Sequence, residues 1–172
     1  MGLFRKGDDG ESPRRKYQMR QKLMSIGDDY WIEDDGGDKA YKVDGKAMRM
    51  RETWVLEDAQ GNEVAKIREK KLSIRDAMRI ERGDTTVATV KKALVSPLRQ
   101  RFTVELDNGS ELKVKGNIID HEYEIERDGT KIAEVSKRWF RVRDTYGIEI
   151  AEGENDALIL ATTVCLDEMA HD

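Results

Sequence analysis

The side chains best suited to nucleophilic or general-base chemistry near neutral pH are the single cysteine and the two histidines, Cys165, His121 and His171. A cysteine nucleophile needs a histidine beside it to accept the thiol proton. Cys165 and His171 are six residues apart, about 240° of rotation on an α-helix, so they point in different directions. Cys165 lies in an apolar segment, where a thiol usually packs as an inert hydrophobe. We interpret His121, at a turn or strand start, as a surface residue, and we expect no catalytic site and no enzyme.

An acidic cluster near the N-terminus is the candidate metal site. Calcium needs several oxygens that converge at about 2.4 Å, and the spacing here lacks the bidentate glutamate of an EF-hand. We interpret these acids as solvated turn residues and expect no metal and no cofactor. The cluster comprises Asp28, Asp29, Glu33, Asp34, Asp35 and Asp38.

The formal net charge of −4 conceals a strong asymmetry along the chain. Residues 64–104 carry a net charge of +7, whereas residues 105–172 carry −9. The near-balance of the whole chain excludes a histone-like basic protein, and the acidic last third argues against nucleic acid as a partner. The basic segment is therefore the candidate binding site. Its proposed ligand-binding residues are Lys66, Arg68, Lys70, Lys91 and Arg101.

Two interpretations of this basic segment compete. If its strands neighbour one another, the cations form a positive patch that attracts anionic phospholipid headgroups, at about 1 kcal/mol per base near the surface. Alternatively, the cations form an ordinary solvated strand face and pair with acids on neighbouring strands. The electrostatic surface of the folded protein distinguishes the two.

A short recurring pattern predicts the elements that carry these cations. A turn rich in Asp, Asn and Gly precedes an alternating strand near residues 41, 64, 87, 112 and 132, at intervals of 20–25 residues. Such turns favour β-hairpins, because Gly, Asn and Asp tolerate the positive φ angles that a hairpin needs. A closed antiparallel barrel or a sandwich is the expected architecture, since it deals with exposed strand edges. Alternation places Ala65 and Ile67 inward, and Lys66, Arg68 and Lys70 outward.

The C-terminal segment, at about residues 155–169, breaks the period of two and predicts a helix capped by Asn155. Its apolar residues lie on every side, which indicates burial on all faces. Ala157 to Leu166 spans ten residues, about 15 Å of helix and too short to cross a bilayer. We expect this helix inside the protein's own sheet, with Thr162 and Thr163 bonded to carbonyls one turn earlier.

The chain is expected to form one domain, residues 17–172, preceded by a flexible arm, residues 1–16. With one cysteine, no apolar h-region at the start and no membrane-length apolar run, we expect a cytoplasmic protein, in peripheral contact with a membrane if it binds lipid. Two other functions stay open. One is an enzyme or small-ligand carrier with a cavity between helix and barrel wall, and the other is a nucleic-acid- or protein-binding module.

Several segments of the sequence resemble the LURP-one-related family, which has the tubby C-terminal-like fold. The match covers roughly residues 17–170, and the last block is the most specific. The matching segments are Lys70–Asp76, like the family's K-x-L-S-L-x-D; Lys115–Asn117, like its "VKG" turn; Ile132–Lys137, like its "IAEVS+K" strand; and Asp144–Ile150 leading into Asp156–Ala161 and Leu166–Glu168.

The resemblance implies a twelve-stranded antiparallel β-barrel around a central C-terminal helix. It implies no biochemical activity, because none is established for the family. Distant relatives with this fold include tubby proteins, which bind phosphoinositides at membranes, and phospholipid scramblases, but a shared fold does not fix a function. The favoured expectation is a non-catalytic binding or scaffold module.

Overall fold

The structure is a computed structural model that describes residues 14–20, 30–44, 53–72, 75–96, 99–139 and 145–170. Within these ranges, twelve β-strands precede one α-helix, α1, Asp156–Ala170. The strands are β1 Arg14–Arg20, β2 Tyr30–Asp34, β3 Lys39–Asp44, β4 Thr53–Asp58, β5 Glu63–Leu72, β6 Arg75–Arg82, β7 Thr85–Ser96, β8 Arg99–Leu106, β9 Glu111–Asn117, β10 Glu122–Arg127, β11 Thr130–Ser136 and β12 Thr145–Ala151.

The strands form a closed antiparallel barrel in which each strand pairs with its neighbours in the chain. β1 closes the ring against β12 through seven residue pairs, from Arg14↔Ala151 to Arg20↔Thr145. Closure removes the two free sheet edges that a flat meander of hairpins would expose. The predicted barrel of about twelve strands around a C-terminal helix is confirmed.

Alternation along the strands sorts the side chains as predicted. Ala65 and Ile67 of β5 are buried in the core, as are Phe102 and Val104 of β8. The side chains that alternate with these residues lie on the outer face of the barrel, and Arg101 of β8 is exposed there. One apolar core therefore lies inside the barrel and the charged residues lie mostly outside it.

Helix α1 occupies that core. Every residue from Ile159 to Leu166 is at most 1% exposed, on all faces of the helix. The hydroxyl of Thr162 donates to the carbonyl of Leu158 at 2.8 Å, and that of Thr163 to the carbonyl of Ile159 at 2.9 Å. The helix thus buries two threonines without leaving their hydroxyls unsatisfied. In the described part of the chain, no helix is long and apolar enough to span a membrane.

The start of α1 is held by its cap and by β1. The side-chain oxygen of Asn155 accepts a hydrogen bond from the amide of Leu158 at 3.1 Å, as expected of an N-cap. The guanidinium of Arg15 donates to both carboxylate oxygens of Asp156 at 2.5 Å, and the hydroxyl of Tyr17 donates to one of them at 2.5 Å. An acid in the first turn also suits the helix dipole.

This contact changes the predicted boundary of the N-terminal arm. β1 begins at Arg14, so residues 14–16 of the predicted arm 1–16 belong to the barrel. They alternate like any strand: Arg15 reaches the helix, whereas Arg14 and Lys16 lie within 4 Å of Glu149 on the outside. Polar composition concealed this strand, because the partner of Arg15 is Asp156, an acid far along the chain. Residues 1–13 lie outside the described residues.

The interpretation of His121 as a surface residue is wrong. His121 is 1% exposed, and its Nε2 lies 2.5 Å from Oδ1 of Asp167 on α1. Its ring stacks on Tyr146 with ring centroids 4.2 Å apart. A positive φ of 54° at His121 turns the β9–β10 connection inward, which the position of a histidine in a polar turn does not reveal.

The two ends of the barrel differ in charge. The tight loops at the end where α1 begins contain seven acids and no base, in residues 35–38, 59–62, 83–84, 107–110, 128–129 and 152–155. We call this the acidic end. The opposite, distal end is described at residues 118–121 and 137–138, which contain Lys137, Arg138 and Asp120. Arg138 Nε lies 3.3 Å from Oε2 of Glu122 at the start of β10.

Candidate functional site

The strands that carry the predicted cations are consecutive neighbours in the barrel. β5 pairs with β6, β6 with β7 and β7 with β8. Their outer faces therefore form one continuous surface, as the patch hypothesis requires. We call this surface the basic wall, and its described cations are Lys66, Arg68, Arg79, Lys91 and Arg101.

Acids neutralise three of these cations. Lys66 Nζ lies 3.7 Å from Oε1 of Glu63, and Arg68 Nε lies 3.1 Å from Oε2 of Glu81. Lys91 Nζ donates to the carboxylate of Glu105 at 2.9 Å. For these positions the solvated-face interpretation describes the geometry well. The side chain of Lys70, another of the five predicted ligand residues, lies outside the described part of the structure.

Two cations of the basic wall have no such partner. Among the described residues, no carboxylate lies within 4 Å of Arg79 or of the exposed Arg101. Arg79 is also directly opposite Arg68 in the β5–β6 register, and like charges in that arrangement repel. The Nε atom of Arg79 is buried and makes no hydrogen bond in the described structure. The basic wall therefore keeps an excess of positive charge at Arg79 and Arg101.

Lys113 and Lys115 extend this charge and were missed in the sequence. They lie on β9, next to β8, and line a cleft with Arg101. Lys115 Nζ lies 2.8 Å from Oε2 of Glu126. Both lysines lie in the acidic last third of the chain, outside the basic segment 64–104. Their alternation with Leu112 and Val114 was the signal that places them on the outer face.

Two large apolar side chains are exposed at different places on the described surface. Ile119, in the β9–β10 connection, is 51% exposed, and Trp139, after β11, is 41% exposed. In the described part of the chain, these two are the large hydrophobic residues that are exposed to solvent. Lys137 and Arg138 directly precede Trp139. Trp139 lines a pocket with Tyr17 of β1 and with Asp34 and Asp35 at the β2–β3 turn, on the side of the barrel away from the basic wall. Ile119 is therefore the exposed large apolar side chain in the described part of the distal end.

Cys165 and the described residues of the acidic cluster have structural roles. Burial strongly raises the pKa of the Cys165 thiol, which is fully enclosed in the core, so its reactive thiolate form is disfavoured. In the acidic cluster, the carboxylate of Asp34 accepts hydrogen bonds from the amides of Gly36 and Asp38 at 2.9 and 3.0 Å and so shapes its own turn. Asp28 and Asp29 lie outside the described residues.

A cavity of about 420 Å³ opens between the start of α1 and the barrel wall. Ala157 and Leu158 of the helix line one side, and Val64, Ala65 and Ile80 of the wall line the other. Polar groups, among them those of Glu81, Arg82 and Asn155, also reach it. The rest of the helix is tightly enclosed. The cavity between helix and wall therefore lies at the start of α1.

Comparisons with known proteins bear on the fold. A family model described as LURP-one-related matches residues 15–167. An X-ray structure of a protein from Arabidopsis thaliana superposes with a TM-score of 0.67 at 18% sequence identity, over 93% of this chain and 94% of that chain. A search of curated proteins found no match.

Proposed function

We propose from its surface that this chain, which belongs to the LURP-one-related family, is a non-catalytic module that binds anionic phospholipid headgroups. Membership of the family by itself implies no activity. The observation that carries this proposal is the uncompensated charge of Arg79 and Arg101 on the basic wall. In this proposal the protein is a peripheral binder at the cytoplasmic face of a membrane, where anionic lipids attract bases.

The distribution of charge along the barrel supports one orientation at such a surface. On the outer face of β5–β9, Glu81, Glu105 and Glu111 lie toward the acidic end, while Arg101 and Lys115 lie toward the distal end. A barrel approaching an anionic surface is therefore steered with its distal end first. The exposed Ile119 of the β9–β10 connection then meets the lipid interface.

Vesicle co-sedimentation tests this proposal. The wild-type protein is expected to bind phosphatidylcholine vesicles that contain phosphatidylserine, more tightly at low than at physiological salt, and to ignore pure phosphatidylcholine. The double variant Arg68→Gln/Arg79→Gln removes two cations and frees Glu81, so its affinity is expected to fall about thirtyfold, at about 1 kcal/mol per base.

The matched control is Arg14→Gln/Lys16→Gln on β1. It also removes two cations and frees one glutamate, Glu149. β1 lies opposite β7, with five strands between them in each direction around the ring. The control is expected to bind like wild type. Binding that ignores phosphatidylserine content, or an equal loss in both double variants, would contradict the proposal.

A second candidate function rests on the cavity at the start of α1. Its apolar helix and wall residues, together with the polar groups of Arg82 and Asn155, suit a small amphipathic ligand. The variant Ala157→Leu fills this space from the helix side. If the protein is a carrier, this variant is expected to bind a hydrophobic dye more weakly than wild type does, whereas its binding to vesicles is unchanged.

A further inference from the structure

The barrel wall parts between β8 and β9. Only three residue pairs join these strands in the described structure: Thr103↔Lys113, Val104↔Leu112 and Glu105↔Glu111. Beyond Thr103 and Lys113 the strands separate, although β8 stays paired with β7 as far as Arg99 and β9 with β10 as far as Asn117. The separation opens a cleft in the wall between these two strands.

Gly116 lets the end of β9 lie close to β10. Its φ is +124°, and a Cβ atom at this position would lie 2.5 Å from the carbonyl oxygen of Glu122 and 2.8 Å from the Cα of Tyr123. Glycine thus lets β9 lie against the backbone of β10 more closely than any other residue would. The end of β9 therefore stays against β10 where it is no longer paired with β8.

The cleft has an apolar floor and a cationic rim. Its volume is about 290 Å³, and the buried Phe102 and Val114 form its base. Arg101 stands on the β8 side, and Lys113 and Lys115 stand on the β9 side. Among the described residues, no carboxylate lies within 4 Å of Arg101 or Lys113, and Glu111 is the one acid that lines the cleft.

The parted strand edges supply a second kind of group. Where a ladder ends, backbone amides and carbonyls that would have paired with the neighbouring strand face the gap instead. Backbone N–H groups beside arginine and lysine bind compact anions with several oxygens, because each oxygen can accept a charge-assisted hydrogen bond. The volume is near the lower bound of about 300 Å³ for ligand pockets, which fits one phosphorylated group.

We propose that the β8–β9 cleft binds a phosphate monoester, held between Arg101 on one rim and Lys113 on the other. This inference deepens the proposed function and rests on it where the monoester belongs to a lipid headgroup. A free phosphorylated metabolite offers the same chemistry, and the experiment separates the two sources.

The test compares two kinds of vesicle and one soluble probe. Vesicles with phosphatidic acid, a phosphate monoester, and vesicles with phosphatidylserine, a diester, are matched for zeta potential. Wild type is expected to bind the phosphatidic acid vesicles about tenfold more tightly, the value of one charge-assisted hydrogen bond. Soluble glycerol 3-phosphate is expected to shift the amide resonances of residues 101–103 and 113–115.

The variant Arg101→Gln/Lys113→Gln is expected to lose the tenfold preference and the resonance shifts. It is also expected to bind phosphatidylserine vesicles more weakly than wild type, because Arg101 belongs to the basic wall, so the ratio of the two vesicle affinities is the quantity that tests the cleft. Arg14→Gln/Lys16→Gln is the control for charge and keeps the preference and the shifts, and equal melting temperatures exclude misfolding. Equal binding of wild type to both vesicles, with no shift, overturns the cleft and leaves the basic wall intact. Shifts by glycerol 3-phosphate without vesicle binding uphold the cleft and overturn the proposed membrane function. If the cleft instead accepts a strand of a protein partner, neither phosphate probe acts there, and the proposal fails.

Discussion

At the scale of single residues, Gly116 has the strongest consequence for the shape of the surface. Its φ of +124° is one that residues with side chains rarely adopt, and the carbonyl oxygen of Glu122 lies 2.5 Å from the place of its Cβ. Gly109 also has a positive φ, +85°, yet no atom lies within 4 Å of the place of its Cβ. A comparison of substitutions at the two glycines therefore separates the cost of the φ angle from the cost of a steric clash.

Gly116→Ala is expected to destabilise the protein by about 2–4 kcal/mol, because the methyl group adds a backbone clash to the cost of the φ angle. Gly109→Ala carries the conformational cost alone, about 1 kcal/mol. Urea denaturation of both variants measures the difference. Equal losses would mean that β9 does not depend on close contact with β10.

At the scale of elements, α1 is anchored at both ends as well as buried. Arg15 and Tyr17 hold Asp156 at its start. At its end, Lys92 points inward from β7 and donates to the carbonyl of Met169 at 3.1 Å. A lysine at a helix C-terminus satisfies a free carbonyl and interacts favourably with the helix dipole. The helix is thus positioned along the barrel by polar contacts at its ends and by apolar packing between them.

Ala161→Asp is expected to destabilise the protein by more than about 4 kcal/mol, since an aspartate here would be buried without a partner. Ala157→Asp is the matched control. It lies half-buried in the first turn, where the helix dipole favours an acid, and is expected to stay within about 1 kcal/mol of wild type. Thermal melting compares the two, and a small change in Ala161→Asp would show that the helix centre is accessible to water.

At the scale of the whole molecule, one core joins all parts of the fold. The cluster of buried apolar residues includes side chains from the strands around the ring and from α1. The ring itself closes through β1 and β12, whose paired residues are more than a hundred positions apart in the sequence. Neither the helix nor the sheet has a core of its own.

Helix and barrel are therefore expected to unfold in a single transition. In urea denaturation, far-ultraviolet circular dichroism reports mainly on secondary structure. Tryptophan fluorescence reports on Trp31, Trp54 and Trp139, of which Trp54 is buried in the core. The two midpoints are expected to coincide, as in a two-state domain. Loss of helical signal at a lower urea concentration would contradict a common core.

Local physics made most of the fold predictable. Turn residues with positive φ, period-two alternation and an all-round apolar segment each act over a few residues, so the hairpins, the inward faces and the buried helix could be read directly. The candidate site was predictable only in part. Alternation placed Lys66 and Arg68 outside, but their pairing with Glu63 and Glu81 depends on register and side-chain reach.

The sequence by itself determined the barrel, its central helix and the presence of a basic segment, because these follow from neighbours in the chain. Only the tertiary structure decided which charges remain. It brought Arg15 to Asp156 and buried His121 against Asp167. It also joined Arg101 to Lys113 across a parted seam. These contacts link residues that are distant in sequence, and a charge is cancelled or exposed by whichever side chain the fold places within a few ångströms of it.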